Sequence, residues 1–443
     1  MLEFDDIQHI LLTRTPAITG RYEFLTFDTA AGGRAWLSEL VDLVQSATDA
    51  VSTMDESDRW ITLAFTWNGL RALGVDDDSL ATFPDAFREG MVSRAEILGD
   101  IGPNSPEHWV GGLAGDDLHA IAILFSRNDE QNARSLAAHD DLLARTEGVR
   151  SLSHLDLNAT PPFNYAHDHF GFRDRLSQPV IKGSGEEPTP GSGDALEPGE
   201  FILGYPDENG PVGDLPKPDM LSRNGSYMAY RRLEEHVAVF RDYLRDNSQT
   251  PDDEELLAAK FMGRWRSGAP LVLAPDKDDP ELGADPMRNN DFNYKDDDPF
   301  GYACPLGSHA RRLNPRDTAH YMNRRRMIRR GATYGPELPD GAPDDGVDRG
   351  IAAFIICADL VRQFEFAQNV WINDKTFHEL GNEHDPICGT QDGTLDYTVP
   401  KRPIRKVHRG IPAFTTLRGG AYFFVPGISA MRYLAALERE EKT

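Results

Sequence analysis

The sequence predicts an α+β protein made of two ferredoxin-like α/β sandwiches, antiparallel sheets covered by helices. Three observations predict it. The first half reads strand–helix–strand and then strand–helix–strand, the second half repeats that grammar, and a long irregular connector separates them. A single doubly wound sheet is the competing architecture. No short-period repeat is visible.

In order, "YEFLTF" (22–27) reads as a strand, and "GGRAWLSELVDLVQSA" follows with Trp36, Leu40, Leu43 and Val44 at helical spacing. "ITLAFT" (61–66) is a second strand, with Asn68 placed to cap the short helix "GLRALG". "LHAIAILFS" (118–126) is a third, followed by a helix from Asp129 to Arg145 and a fourth strand in "VRSLSHLDLN". From 161 to 224 the chain is rich in Gly, Pro and Asp, a length of coil that marks a functional loop or an interdomain wrap. "SYMAYRRL" then opens the second half as a strand. A helix follows with Val237, Phe240 and Leu244 on one face, and a further helix lies near 254–265. The stretch 267–348 reads as loop-rich. "IAAFIICA" (351–358) is a buried strand, capped by Asp359 into a helix aligning Leu360, Phe364, Ala367 and Trp371, and "AYFFVP" (421–426) closes as a strand. These boundaries predict an N-terminal unit over 1–160, a connector over 161–224 and a C-terminal unit over 225–443.

The 443 residues are 40% hydrophobic and 9% aromatic, enough for a full core. Lys and Arg number 46 against 72 Asp and Glu, a formal charge of −26. Such a surface repels phosphate backbones and anionic lipid, so neither nucleic acid nor membrane is expected as a partner. A homo-oligomer stays open. The three scattered cysteines, Cys304, Cys357 and Cys388, fit a reducing compartment. The amino-terminal stretch is acidic where a signal peptide is basic, and no apolar run approaches the roughly 20 residues of a membrane helix. The cytoplasm is the expected location.

Several motifs give bland readings. The acidic run at 276–299 lacks the ligand order of an EF-hand and reads as a solvated loop. His167, Asp168 and His169 invite a zinc reading, but a third ligand at clear spacing is missing, and polar loop histidines are the expectation. No HExxH, GxSxG elbow, Walker loop or strand-linked GxGxxG occurs.

"CPLGSHARRLNPR" (304–316) places one thiol, one imidazole and three arginines in a strongly acidic chain. Cys304 carries the usual bias of a lone cysteine toward burial as a small apolar residue. His309 lies between Ser308 and Ala310, small side chains that let a flat cofactor approach, and Arg311, Arg312 and Arg316 can neutralise carboxylates. The residues alone leave two readings open, a haem site and a structural ion-pair loop.

"GFRDRLSQP" (171–179), "CPLGSHARRLNPR" and "MIRRGATYGPE" (327–337) resemble, in that order, the three signature segments of dye-decolourising peroxidases. "PGEFILGYPDENG", "RNGSYMAYRRL", "ADLVRQFEFAQNVW" and "LRGGAYFFVPGISAMR" extend the likeness over nearly the whole chain. The larger bacterial and fungal-like branch fits best, because long loops separate the core elements.

The resemblance implies a haem b enzyme with two ferredoxin-like halves, the haem in the C-terminal half, and hydrogen peroxide and bulky aromatic donors as substrates. It implies His309 as the proximal iron ligand, Arg316 as the arginine at a haem propionate, and Asp174, of the family's GxxDG motif, as the distal acid–base. Arg329 matches the distal arginine, with Arg330 the alternative if the register slips by one. Glu365 is the matched acidic partner of the proximal imidazole, although an α-helical wheel turns it away from the Leu360 face. Arg175 stands where the motif has Gly and would lower the Asp174 pKa if it faced the same side. Two rivals follow: a haem-binding or iron-releasing protein of the same fold without efficient turnover, and a structural, partner-binding protein without haem. Trp371, Tyr334 and Tyr422 are the expected electron relays for donors held at the surface.

Overall fold

The computed structural model describes residues 1–13, 19–48, 59–158, 167–174, 176–319 and 321–437. In the first half, β1 (Thr19–Phe27), β2 (Arg59–Phe65), β3 (Ala120–Ser126) and β4 (Val149–Asn158) carry the helices Ala30–Leu40 and Asp129–Arg145. In the second, β5 (Ser226–Glu235), β6 (Ile328–Tyr334), β7 (Gly350–Cys357) and β10 (Thr415–Val425) repeat the arrangement. A small hairpin, β8 (Asp396–Val399) and β9 (Lys406–Arg409), stands apart.

All eight main strands join in one antiparallel sheet of order β4-β1-β3-β2-β10-β5-β7-β6. Each half therefore has the ferredoxin-like order, with its first strand second from the edge. The seam is narrow, since β2 and β10 pair only at Phe65 and Phe424. The edge strands β4 and β6 approach each other, so the sheet curls toward a barrel. Its inner face is one apolar cluster drawn from both halves: Tyr22 of β1 rests on Phe354 of β7 with ring centroids 4.7 Å apart. The outer face packs on the helices through Trp36, Leu37 and Leu40.

Several local expectations change. Asn68 does not cap its helix; Thr66 does, its hydroxyl accepting from the Gly69 amide, and Asn68 lies inside the helix Trp67–Leu73. The helix after Leu40 tightens into a single turn, Val41–Leu43. The helix expected near 254–265 runs Pro251–Met262: Thr250 caps it, Pro251 suits its first turn, and Gly263 at φ +94° ends it. β6 lies inside the stretch read as loop, because Ile-Arg-Arg-Gly-Ala-Thr-Tyr shows no apolar alternation. The segment after Asp359 forms two π-helical stretches, Leu360–Glu365 and Ala367–Ile372, an uncommon geometry enriched at functional sites.

Among the described residues no helix is long and apolar enough to cross a membrane.

The narrow seam gives a stability prediction. Phe424 is fully buried against Phe83, Phe87 and Tyr227. Phe424→Ala is expected to lower the unfolding free energy by about 3–5 kcal/mol, measured by urea denaturation. A loss under about 1 kcal/mol would show that the seam repacks.

Candidate active site

A cavity of about 340 Å³ opens between the short helix His309–Leu313, the outer face of β6 and the loop residues 168–174 and 176–178. Gly263 lets these parts close up: a Cβ there would lie 3.0 Å from Ser308 Oγ and Ala310 Cβ. Helix Pro251–Met262 is thereby docked against the His309 segment.

His309 lines the cavity, and its Nδ1 lies 2.9 Å from Asp385 Oδ2. Asp385 is fully buried, and its Oδ1 accepts from the Ile387 and Cys388 amides. Burial alone would raise the Asp385 pKa, but the charge and hydrogen bond of His309 and the Cys388 amide hold it below the usual carboxylate range. An ionised carboxylate only accepts, so Nδ1 carries the hydrogen. With its hydrogen on Nδ1, the ring offers Nε2 as the nitrogen that can ligate a metal.

The three arginines of the motif separate. Arg311 is buried beside Asp298 and stacks on Tyr294, while Arg312 is buried on the carbonyls of Gly307, Trp371 and Glu383. Both are structural. Arg316 lines the cavity at φ +52°, held there by the carbonyls of Gly191, Asn290 and Phe292. Arg264, Arg326 and Arg329 join it in the wall. Among the described residues none of these four guanidiniums pairs with a carboxylate; their partners are carbonyl and amide oxygens. Burial, then mutual repulsion, lowers Arg264 and Arg326 to about 10. Buried cations without counter-charges suit an anionic ligand.

Asp174 lines the cavity from an exposed position on the loop. Arg329 Nη2 donates to Leu176 O on that same loop at 2.7 Å, and the Arg329 amide donates to Gln178. Successive residues of a strand face opposite ways. Arg330 accordingly stands opposite Phe354 of the barrel interior in register and donates to Ile10 O. Both arginines border the cavity, but the hydrogen bonds tie Arg329, not Arg330, to the loop that carries Asp174.

A family model described as the DyP dimeric alpha+beta barrel domain matches residues 6–152. A dye-decolorizing peroxidase of Mycena epipterygia is 32% identical, the match covering 98% of this chain and 87% of that protein. The multifunctional dye peroxidase DyP2 of an Amycolatopsis species is 27% identical over 93% of this chain and 91% of its own length. The chain belongs to the dye-decolourising peroxidase family. It is an enzyme of the peroxidase type. A crystal structure of a fungal DyP-type peroxidase from Auricularia auricula-judae superposes with a TM-score of 0.87 at 28% identity, covering 98% of this chain and all of that one.

Within this peroxidase, one expected residue is displaced. Glu365 does not face the imidazole. It is buried in a bidentate pair with Arg94, one contact at 2.7 Å, and accepts from Tyr422 OH at 2.9 Å. On an α-helix five residues carry it roughly 140° from Leu360, whereas π-helical widening turns it back toward the packed side. Asp385, in the irregular stretch "GNEHDPICGT", holds the ring instead, and no periodicity pointed to it.

Cys304 is buried on Ser308 and outside the cavity wall. Trp371, Tyr334 and Tyr422 are buried, so none is itself a surface contact for a bulky donor. Asp168 and His169 are loop residues, buried with polar partners in the Phe172 amide and Tyr334 O. Arg175 lies outside the described residues, and with it the proposed coupling to Asp174.

The depressed Asp385 carboxyl fixes the sign of a pH effect. A lowered folded pKa contributes stability that is present above the unfolded value, about 3.9, and is lost as pH falls through the folded one. Urea unfolding of wild type and Asp385→Asn across the acidic range is expected to diverge on that limb, with the flatter response in the variant.

Proposed function

We propose that this enzyme is a haem b peroxidase that reduces hydrogen peroxide to water and oxidises bulky aromatic donors. The observation that carries the reading is His309, fixed at Nδ1 by Asp385 and facing a cavity ringed by guanidiniums without carboxylate partners. The donor set fits the cofactor: Nε2 for iron, and Arg316 with Arg264 and Arg326 for the two propionates. Apolar side chains such as Leu313, Ile355 and Phe364 suit the ring faces. When bound, haem supplies the iron redox couple that cleaves the O–O bond.

The chain's own residues handle protons and charge. Asp174 takes the proton from one peroxide oxygen and returns it to the other, a general acid–base role. Arg329, tied to the loop that carries Asp174, stabilises negative charge as the O–O bond breaks. Asp385 orients the imidazole and raises its basicity through Nδ1. A solved relative is described in complex with 2,6-dimethoxyphenol, which supports phenolic donors for this chain. A cytoplasmic location, suggested by three free cysteines, belongs to the same reading.

His309→Ala is expected to abolish or greatly weaken haem retention while Glu365→Gln leaves it intact, read from the Soret band of purified protein. A normal Soret band in His309→Ala would remove the ligand assignment. Arg329→Leu is expected to keep haem but slow the reaction with peroxide ~100- to 1,000-fold, measured by stopped-flow. An unchanged rate, with a slow Arg330→Leu, would exchange the two arginines.

A further inference from the structure

The loop carrying Asp174 also buries an acid that the proposed reaction leaves unused. We propose that Asp168, paired with Glu235 of β5, is a proton relay that replenishes Asp174 from solvent through a second, acidic cavity. The inference rests on the peroxidase reading above.

The geometry is specific. Asp168 is 8% exposed and Glu235 5% exposed, and both line the main cavity. A second cavity, of about 510 Å³, lies on the other side of the same loop. Asp168 belongs to both walls, and no other described residue does. It is therefore the one ionisable group described between the two spaces.

Backbone amides of the loop fix the pair. Phe172 N–H donates to Asp168 Oδ1 at 2.7 Å, and His169 N–H donates to Glu235 Oε2 at 3.0 Å. Two buried carboxyls that act on each other resist being ionised together. Burial raises Asp168 first, the Phe172 amide opposes it, and Asp174 raises it further, while Arg266 and His309 pull down; the result is pushed up to about 7. Burial and then Asp168 raise Glu235 well above the carboxylate range, against the His169 amide. The pair thus retains a proton through the acidic range.

The second cavity can supply it. Glu254 and Glu255 of helix Pro251–Met262, with Glu337 and Asp340 beyond β6, line it and outnumber the cations Arg241 and Arg266. His167 and His169 complete the titratable wall. A negative vestibule concentrates protons at its inner end. Reducing hydrogen peroxide to two waters takes up two protons with two donor electrons, so after Asp174 has returned the peroxide proton, two more must reach the cavity. In the relay, the O–H bond of Asp168 breaks as such a proton passes to the Asp174 carboxylate, directly or over one water. A proton from the vestibule then restores Asp168. No electrons move.

The test begins on the wild-type holoenzyme with an infrared titration from about pH 5 to about pH 9, bracketing the raised value and not the ordinary carboxylate one. A protonated-carboxyl band that disappears near neutrality is expected, lost in Asp168→Asn and retained in Glu235→Gln, since Asp168 raises Glu235 and not the reverse. In steady-state dye oxidation, Asp168→Asn should slow turnover on the order of 10- to 100-fold and enlarge its solvent isotope effect. A wild type without a band titrating near neutrality overturns the relay. So does Asp168→Asn with unchanged rate and isotope effect. If Asp168→Asn does not fold, Glu235→Gln decides, because loss of the near-neutral band there would assign that titration to Glu235 and overturn the relay. A wild type without a Soret band or dye turnover would instead overturn the peroxidase reading, and the infrared result would stand apart from it.

Discussion

The hydrogen bond between His309 Nδ1 and Asp385 is the constraint on which the site depends. An imidazole on a five-residue helix has little intrinsic rigidity, since so short a helix is marginal on its own. Asp385 supplies what the helix lacks. Its carboxylate is held in turn by two amides of its own turn, so ring, carboxylate and backbone form one rigid unit. Arg312 strengthens the frame by joining Gly307, Trp371 and Glu383, which ties the π-helical segment to the same unit. Orientation and proton position at His309 are therefore properties of packing as much as of local sequence.

The second organising feature is an excess of positive charge inside an acidic protein. The net charge of −26 describes the surface, while the cavity wall concentrates guanidiniums. Buried cations held by carbonyl and amide oxygens carry a desolvation cost, which an anionic ligand would offset. Two of the three motif arginines carry no part of this; they hold the frame so that Arg316 and its neighbours can face inward.

Much of the architecture was legible because periodicity reports burial. The apolar runs at β1, β3 and β7 and the helix Asp129–Arg145 lie within a few residues of where the pattern put them. Signature residues were legible through resemblance, and His309, Arg316, Asp174 and Arg329 do meet at one cavity. What stayed hidden was long-range or irregular. β6 has no alternation to read, and Asp385 faces His309 across 76 positions with no spacing rule between them. Glu365 misled through resemblance, while the α-helical wheel that turned it toward solvent failed on its burial, because the segment is π-helical. Arg264, Arg326, Asp168 and Glu235 come to the cavity from separate elements, a convergence that only tertiary structure shows.

The inner apolar cluster bears on how this chain reaches its native state. Tyr22 of β1 completes its packing only when Phe354 of β7 and Tyr230 of β5 arrive, so the barrel interior cannot close while the first half stands alone. During synthesis the N-terminal strands must wait with an apolar face uncovered, the exposed state in which chaperones engage a nascent chain. Contacts this distant in sequence also place the closing step late and make it slow.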